Sequence, residues 1–278
     1  MKLEEIMEGI DTLEWKGDVN LSISNICYHS NKVKPGSAFV AIEGLRSDGH
    51  QYIADALARG ARAVVVGKEL QHIAGLKNLP DNVTVIRVKD TRSVLSTMAA
   101  NMYDKPSKAF NMIGVTGTNG KTTITYLIHA ILKQREYNVG QIGSLGIYSN
   151  NKWEKSSHTT PESLELQKTL KDMQDSRLKS CIMEVPSHAL QLGRVKDIDF
   201  DGAVFSNLSH EHLDFHNSME NYFQAKRKLF HMASGFNVIN IDDPYGQRLA
   251  DELSNDKHAL LITYGINRDA DCIAHSIN

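Results

Sequence analysis

Short apolar runs alternate along the chain with longer stretches whose apolar residues recur at helical spacing. In the first hundred residues, Ser37–Ile42, Ala63–Val66 and Val83–Val88 read as buried strands. Gln51–Arg59 reads as a helix closed by Gly60, and a second helix is predicted near Thr91–Tyr103. The polar run Asp104–Lys108, with Pro106 inside it, then breaks the pattern. A domain boundary is expected there, giving units 1–107 and 108–278. In the second unit strands are predicted at Phe110–Val115, Val139–Ile142, Cys181–Val185, Gly202–Phe205, Asn237–Ile241 and Leu260–Tyr264. Helices near Lys121–Arg135, Glu162–Asp175, Met219–Met232 and Tyr245–Leu253 separate them. Strand and helix alternating at this spacing imply an α/β fold built on a doubly wound, mainly parallel sheet.

Composition narrows the class. A chain of 278 residues is long enough for two domains, and 41% hydrophobic with 23% charged residues describes an ordinary globular protein. A net charge of −2 argues against a general nucleic-acid binder, so any polyanionic ligand must be held by local groups. Cys27, Cys181 and Cys272 are far apart and form no CxxC pair, which suits a reducing compartment and excludes a zinc knuckle. Met1–Glu5 shows no basic-then-apolar leader, and no apolar run approaches the ~20 residues of a membrane span. A cytoplasmic protein with no membrane insertion is expected.

The strongest chemical signal is Ile113–Thr123 (IGVTGTNGKTT), which opens a helix directly after a strand. Glycines at 114, 117 and 120 remove Cβ atoms where backbone curls tightly against a polyanion. Backbone amides and the positive helix end then face a phosphate chain. Lys121 supplies a point charge and Thr122 a hydroxyl for Mg²⁺. Ile124, Leu127, Ile128, Ile131 and Leu132 continue as an apolar helical stripe. The strict Walker pattern would place glycine at 115, where valine stands, so this is a variant loop that binds a nucleoside triphosphate.

Four further polar segments stand beside predicted strand ends, where open α/β sheets bind ligands. They are His158–Ser163, Glu184–Leu190, Ser206–Asp214 and the helix holding Lys226. Glu184 closes a strand and can share Mg²⁺ with Thr122 through hard oxygens. A zinc-protease HExxH fails on spacing, because Asp214 stands where the second histidine would be needed. Lys226 has only apolar or aromatic neighbours at helical spacing, namely Tyr222, Phe223, Leu229 and Phe230. Such a lysine either snorkels its ammonium to water or, desolvated, becomes a neutral amine. Spacing alone does not choose.

TGTNGKTT (116–123), HTTPES (158–163), EVPSHAL (184–190), SNLSHEHLDFH (206–216), the AK of QAKRKLF (225–226) and NIDDP (240–244) together resemble the Mur ligase family. HSNKVKPGSAFVAIEGLRSDGH (29–50) is similar to that family's UDP-sugar domain. The likeness runs along essentially the whole chain and is closest to the branch that adds the third residue of the peptidoglycan stem. It implies a UDP-MurNAc-binding domain over 1–107 and a central ATP-binding domain over 108–278, ending before a third domain that carries the amino-acid site.

The implied activity is ATP-dependent ligation of an amino acid, meso-diaminopimelate or L-lysine, to UDP-N-acetylmuramyl-L-Ala-D-Glu through an acyl phosphate. Gly117, Thr118, Asn119, Gly120, Lys121, Thr122 and Thr123 would hold the ATP phosphates, with Asn240 near the adenine. Thr122 and Glu184 would bind one Mg²⁺; His212 and a carbamylated Lys226 would support a second. The resemblance thereby favours the neutral amine for Lys226. Tyr28, Ser30 and the turn Leu45, Arg46, Ser47 would contact the UDP-sugar. Thr159, Thr160, Ser187 and Arg194 would line the muramyl-peptide channel. Pro186 stands where the family usually has serine, which removes one hydroxyl. The full-length protein is expected to be a monomer. A folylpolyglutamate-like ligase and a non-catalytic nucleotide- and UDP-sugar-binding fragment are the rivals; the run 29–50 argues against the first.

Overall fold

The β-branched runs pair as parallel strands in both halves of the chain, because strands buried on two faces need apolar side chains on each. The computed structural model describes residues 1–44, 47–73, 80–135, 138–156, 158–255 and 258–275. It divides into two units, Met1–Lys105 and Pro106–Asn278.

In the first unit, α1 (Leu3–Ile6), α2 (Ile53–Ala58) and α3 (Thr91–Met102) accompany strands β1 (Glu14–Lys16), β2 (Asn25–Cys27), β3 (Ser37–Val40), β4 (Ala61–Val66) and β5 (Thr84–Arg87). Among the described residues these strands form a sheet of order β1-β5-β4-β3-β2. β2 to β5 run parallel and β1 is antiparallel to β5. Phe39, Val64, Val66, Val85, Ile53 and Ala56 form the core beneath α2. The helix expected over Gln51–Arg59 begins later, after a 3₁₀ turn at Gly49–Tyr52. Asp48 causes the delay by accepting the His50 amide at 3.0 Å, a side-chain cap that favours a tight turn.

The second unit comprises β6 (Asn111–Thr116), α4 (Lys121–Gln134), β7 (Val139–Gly143), β8 (Gly146–Ser149), β9 (Lys152–Glu154), α5 (Ser163–Asp175), β10 (Ser180–Glu184), α6 (Ser187–Gln191), β11 (Phe200–Phe205), α7 (Leu213–His216), α8 (Met219–Met232), β12 (Ala233–Asn240), α9 (Pro244–Leu253), β13 (Leu260–Gly265) and β14 (Cys272–Ile273). The strand order is β14-β13-β12-β11-β6-β10-β7-β8-β9, parallel from β14 to β7. β8 and β9 complete an antiparallel edge.

Side-chain alternation assigns the two faces of this sheet. Met112, Cys181, Met183 and Phe205 meet Leu166 and Leu170 of α5, Phe223 and Leu229 of α8, and Leu249 of α9. Val115, Val139, Ile182 and Val204 meet Ile124, Ile128 and Leu132 of α4. Each fully buried leucine contributes about 1.5–3 kcal/mol. The phosphate loop therefore emerges at the end of β6 with α4 on one face and α8 on the other.

Candidate functional site

Residues 117–123 form a loop entering α4, and its tightness has a local cause. A Cβ on Gly117, whose φ is +148°, would stand 1.9 Å from Ser206 Oγ. No other residue fits without moving the loop after β11. That neighbouring loop holds the phosphate loop closely. Ser206 Oγ donates to the Asn119 carbonyl at 2.6 Å, and Asn207 Oδ1 accepts the Asn119 amide at 3.0 Å. The Ser209 amide donates to Thr118 Oγ1 at 2.9 Å. Asn240 contributes from behind: its Nδ2 donates to the Ser206 carbonyl at 2.8 Å, while its Oδ1 accepts the Asp242 amide at 3.1 Å. The Nδ2 end of Asn240 thus braces the loop after β11, while the Oδ1 end ties its own turn.

Two lysines reach the same carbonyl from opposite faces of the sheet. Lys121, at the start of α4, donates to the carbonyls of Gly117 at 3.0 Å and Thr118 at 2.8 Å. Lys226 of α8 donates to Gly117 at 2.7 Å and lies 4.6 Å over the Tyr222 ring. Only 1% of Lys226 is exposed, so the snorkelling alternative is overturned. Burial first, and Lys121 second, hold the Lys226 amine well below its ordinary pKa; burial likewise lowers that of Lys121. Among the described residues neither lysine pairs with a carboxylate.

Glu184 ends β10 on the face shared with α4, two residues beyond Ile182, as a period of two requires. It is 1% exposed. Its Oε2 accepts Thr122 Oγ1 at 2.9 Å and Ser144 Oγ at 3.2 Å, and its Oε1 accepts the Ser144 amide at 2.7 Å. Hydroxyl and carboxylate oxygens this close are the hard donor set that magnesium takes, so the residues present fit that ion. Thr159 Oγ1 joins Ser144 Oγ at 3.2 Å. Thr160 is buried, its hydroxyl donating to the Glu184 carbonyl at 2.7 Å and its own carbonyl accepting Arg194 at 3.1 Å. Arg194 also pairs with Glu162 at 2.8 Å.

His212 begins α7 in a left-handed conformation (φ 56°), exposed, edge-on to His188 at 5.0 Å and to Tyr222 at 6.0 Å between centroids. A non-glycine residue held there carries backbone strain of the kind that gathers at functional loops. Tyr222 thus contacts both His212 and Lys226. His216 stacks on Tyr222 at 4.9 Å and hydrogen-bonds Ser187 Oγ at 2.8 Å. Burial, then His188, push its pKa down to about 4. Pro186, with φ −66° and ψ 155°, precedes α6 and offers no side-chain cap.

In the first unit, Tyr28 and Ser30 follow β2, and Ser47 lies beyond β3, all past the carboxyl ends of parallel strands. Tyr28 packs on His29 at 4.5 Å, the Ser30 hydroxyl bonds Asp55, and the Ser47 carbonyl accepts the Gly44 amide at 2.9 Å. Leu45 and Arg46 lie outside the described residues. A cleft of about 280 Å³ opens at the ends of β3–β5, lined by Glu43, His50, Lys68, Lys89 and Thr91.

Sequence reasoning missed Ser144, Gln141 and Tyr222. Gln141 of β7 donates to Thr125 Oγ1 at 3.3 Å, and Thr125 donates to the Thr122 carbonyl at 2.9 Å, bracing Thr122 from below. None of the three lies in a recognisable motif; the only available signal was polar residues breaking apolar runs.

The Mur ligase middle domain matches residues 115–278, and the Mur ligase family catalytic domain matches residues 22–103. A UDP-N-acetylmuramoyl-L-alanyl-D-glutamate–2,6-diaminopimelate ligase of Alkaliphilus metalliredigens is 46% identical over 277 residues, covering 100% of this chain and 54% of the relative. Its namesake in Clostridioides difficile is 43% identical over 277 residues, covering 100% of this chain and 55% of the relative. A solved structure of a ligase of that name superposes with a TM-score of 0.80 at 27% identity, covering 98% of this chain and 54% of that one. The chain spans about half the length of the curated relatives it matches. With both units matched and the phosphate loop on the shared scaffold, the chain belongs to the Mur ligase family.

Proposed function

We propose that the protein is an ATP-dependent ligase of peptidoglycan precursor synthesis, joining 2,6-diaminopimelate to UDP-N-acetylmuramyl-L-Ala-D-Glu. This chain contributes a UDP-sugar unit bounded at about residue 107 and a nucleotide unit beyond it. The observation that carries the reading is identity of 46% across 277 residues to a relative of that name. It acts in the cytoplasm, as a monomer. The peptide carboxylate attacks the γ-phosphate of ATP, expelling ADP and forming an acyl phosphate, from which the amine of the incoming amino acid displaces phosphate to form the amide.

Lys121 leaves the Gly117 and Thr118 carbonyls to meet the phosphate chain, while the amides of 117–123 bind its oxygens. Thr122 and Glu184 would hold magnesium, which would offset charge on the transferring phosphoryl group. Burial lowers the Lys226 pKa and so favours the neutral amine, which would add to the carbon of CO₂ and shed a proton. The resulting N-carboxylate, with His212, would provide oxygen and nitrogen donors for a second magnesium. Tyr28, Ser30 and the 45–47 turn contact the UDP-sugar; Thr159, Thr160, Ser187 and Arg194 border the muramyl peptide, and Asn240 lies by the adenine.

The test offers the gene product carrying this chain UDP-N-acetylmuramyl-L-Ala-D-Glu, ATP and Mg²⁺ with either meso-diaminopimelate or L-lysine. Phosphate release and a tripeptide product with diaminopimelate are expected. Product with L-lysine alone would change the amino acid; no product with either would remove the ligase reading.

A further inference from the structure

We propose that Ser144 is a positioning residue: it fixes the Glu184 carboxylate toward Thr122 and ties Thr159 to the nucleotide side of the site. The inference rests on the nucleotide reading above. Ser144 touches Glu184 twice, through its amide at 2.7 Å and its hydroxyl at 3.2 Å. Thr122 holds the remaining contact at 2.9 Å. Thr122 and Glu184 are the oxygens that would hold the ion, and Ser144 would be the neighbour that keeps the carboxylate turned toward Thr122.

Hydroxyl bookkeeping sets the direction of the chain. A carboxylate accepts, so the single Ser144 proton points to Glu184 Oε2, and the Ser144 oxygen accepts from Thr159 at 3.2 Å. The donor order is Thr159 to Ser144 to Glu184. One hydroxyl therefore links the segment proposed to face the muramyl peptide with the carboxylate proposed to face magnesium.

The hairpin does not require this side chain. β7 and β8 are held by the pairs Gly143↔Gly146, Ile142↔Ile147 and Gln141↔Tyr148, with Ser144 exposed in the two-residue turn. What the turn does require is Gly143. A Cβ there would lie 2.2 Å from Glu184 Oε1, so the carboxylate occupies space that only glycine leaves free.

The experiment measures Mn²⁺ binding, by the electron paramagnetic resonance of free Mn²⁺, to the gene product carrying this chain in the presence of a non-hydrolysable ATP analogue. Wild type, Ser144→Ala, Ser144→Thr and Glu184→Gln are compared, together with their melting temperatures. S144A is expected to weaken Mn²⁺ affinity about three- to tenfold, the value of one hydrogen bond, and to raise KM for the muramyl peptide, with melting unchanged. S144T, which keeps the hydroxyl, is expected to restore both. Wild-type Mn²⁺ affinity in S144A would overturn the inference alone. Absence of nucleotide-dependent Mn²⁺ binding in the wild type would overturn the nucleotide reading, and the inference with it.

Discussion

Each unit gathers charged side chains at the carboxyl ends of its parallel strands, and the two gatherings are built oppositely. In the first unit Glu43, Asp48, His50 and Lys68 pair with one another. Asp48 accepts His50 Nδ1 and Lys68, both at 2.6 Å, and Lys68 also reaches Glu43 at 3.2 Å. His50 Nε2 accepts the Gly67 amide at 3.0 Å, so the ring proton sits on Nδ1 and points at Asp48. Glu43, Asp48 and His50 are close enough to crowd round a cation, but the Lys68 ammonium already bridges the two carboxylates. In the second unit Lys121 and Lys226 converge on one neutral carbonyl, each dry enough for burial to lower its pKa. A paired charge network specifies local structure, whereas desolvated amines without an ion-pair partner are the perturbed groups expected at a functional site.

Removing the exposed-side cation tests that contrast most severely. Lys121→Ala in the complete protein should lower ATP-dependent turnover by about 10²–10³ while the melting temperature holds, because charge and not core volume is lost. Turnover near wild type would break the comparison at its root. Lys226→Ala should lose at least about tenfold through the second metal position. Added formate or acetate should partly restore it if a carboxylate is what the side chain supplies. Mass spectrometry under bicarbonate should find CO₂ on Lys226; an unmodified lysine in an active enzyme would remove the carbamate.

The paired cluster of the first unit should respond to substitution in stability. Asp48→Ala leaves the buried His50 ring nitrogen without its acceptor, which costs about 1–3 kcal/mol. Denaturant unfolding followed by a probe in the first unit should register that loss, with nucleotide binding unchanged. A loss of nucleotide binding would show that the paired cluster is more than structural.

The smallest effect concerns acid. His129 of α4 is buried, with no partner for Nδ1 among the described residues, edge-on to Tyr148 at 4.6 Å, and burial followed by Lys133 hold its pKa below 6.5. Below pH 6.5 the unfolded chain takes up this proton before the folded one does, so stability falls as pH drops through the histidine range. His129→Leu should flatten that part of the pH–stability profile; an unchanged slope would assign it to other groups.

Much of this site was legible because its parts are local. The phosphate loop, the start of α4 at Lys121 and the bounds of α8 at Met219–Met232 follow from contiguous residues whose spacing states their geometry. The apolar surroundings of Lys226 were readable for the same reason. Short elements were not. β8, β9 and β14 span two to four residues, too few to show a period, and they form as edges on neighbours already present. The helix after His50 was displaced because a single Asp48 side chain captured an amide.

The sequence by itself determined that a strand, a glycine-rich turn and a helix follow one another, and that Glu184 ends a further strand. Only the tertiary structure decided which side chains hold those groups in place. Glu184 and Ser144 are forty residues apart, and Lys226 and Gly117 over a hundred, yet each pair lies within hydrogen-bonding distance. Parallel pairing of β6, β7, β10 and β11 aligns their ends, and alternation sends Glu184 to the α4 face while α8 brings Lys226 from the other. Propensity and spacing act over a few residues; which distant side chains share a strand end is set by sheet order, and that is a property of the packed chain.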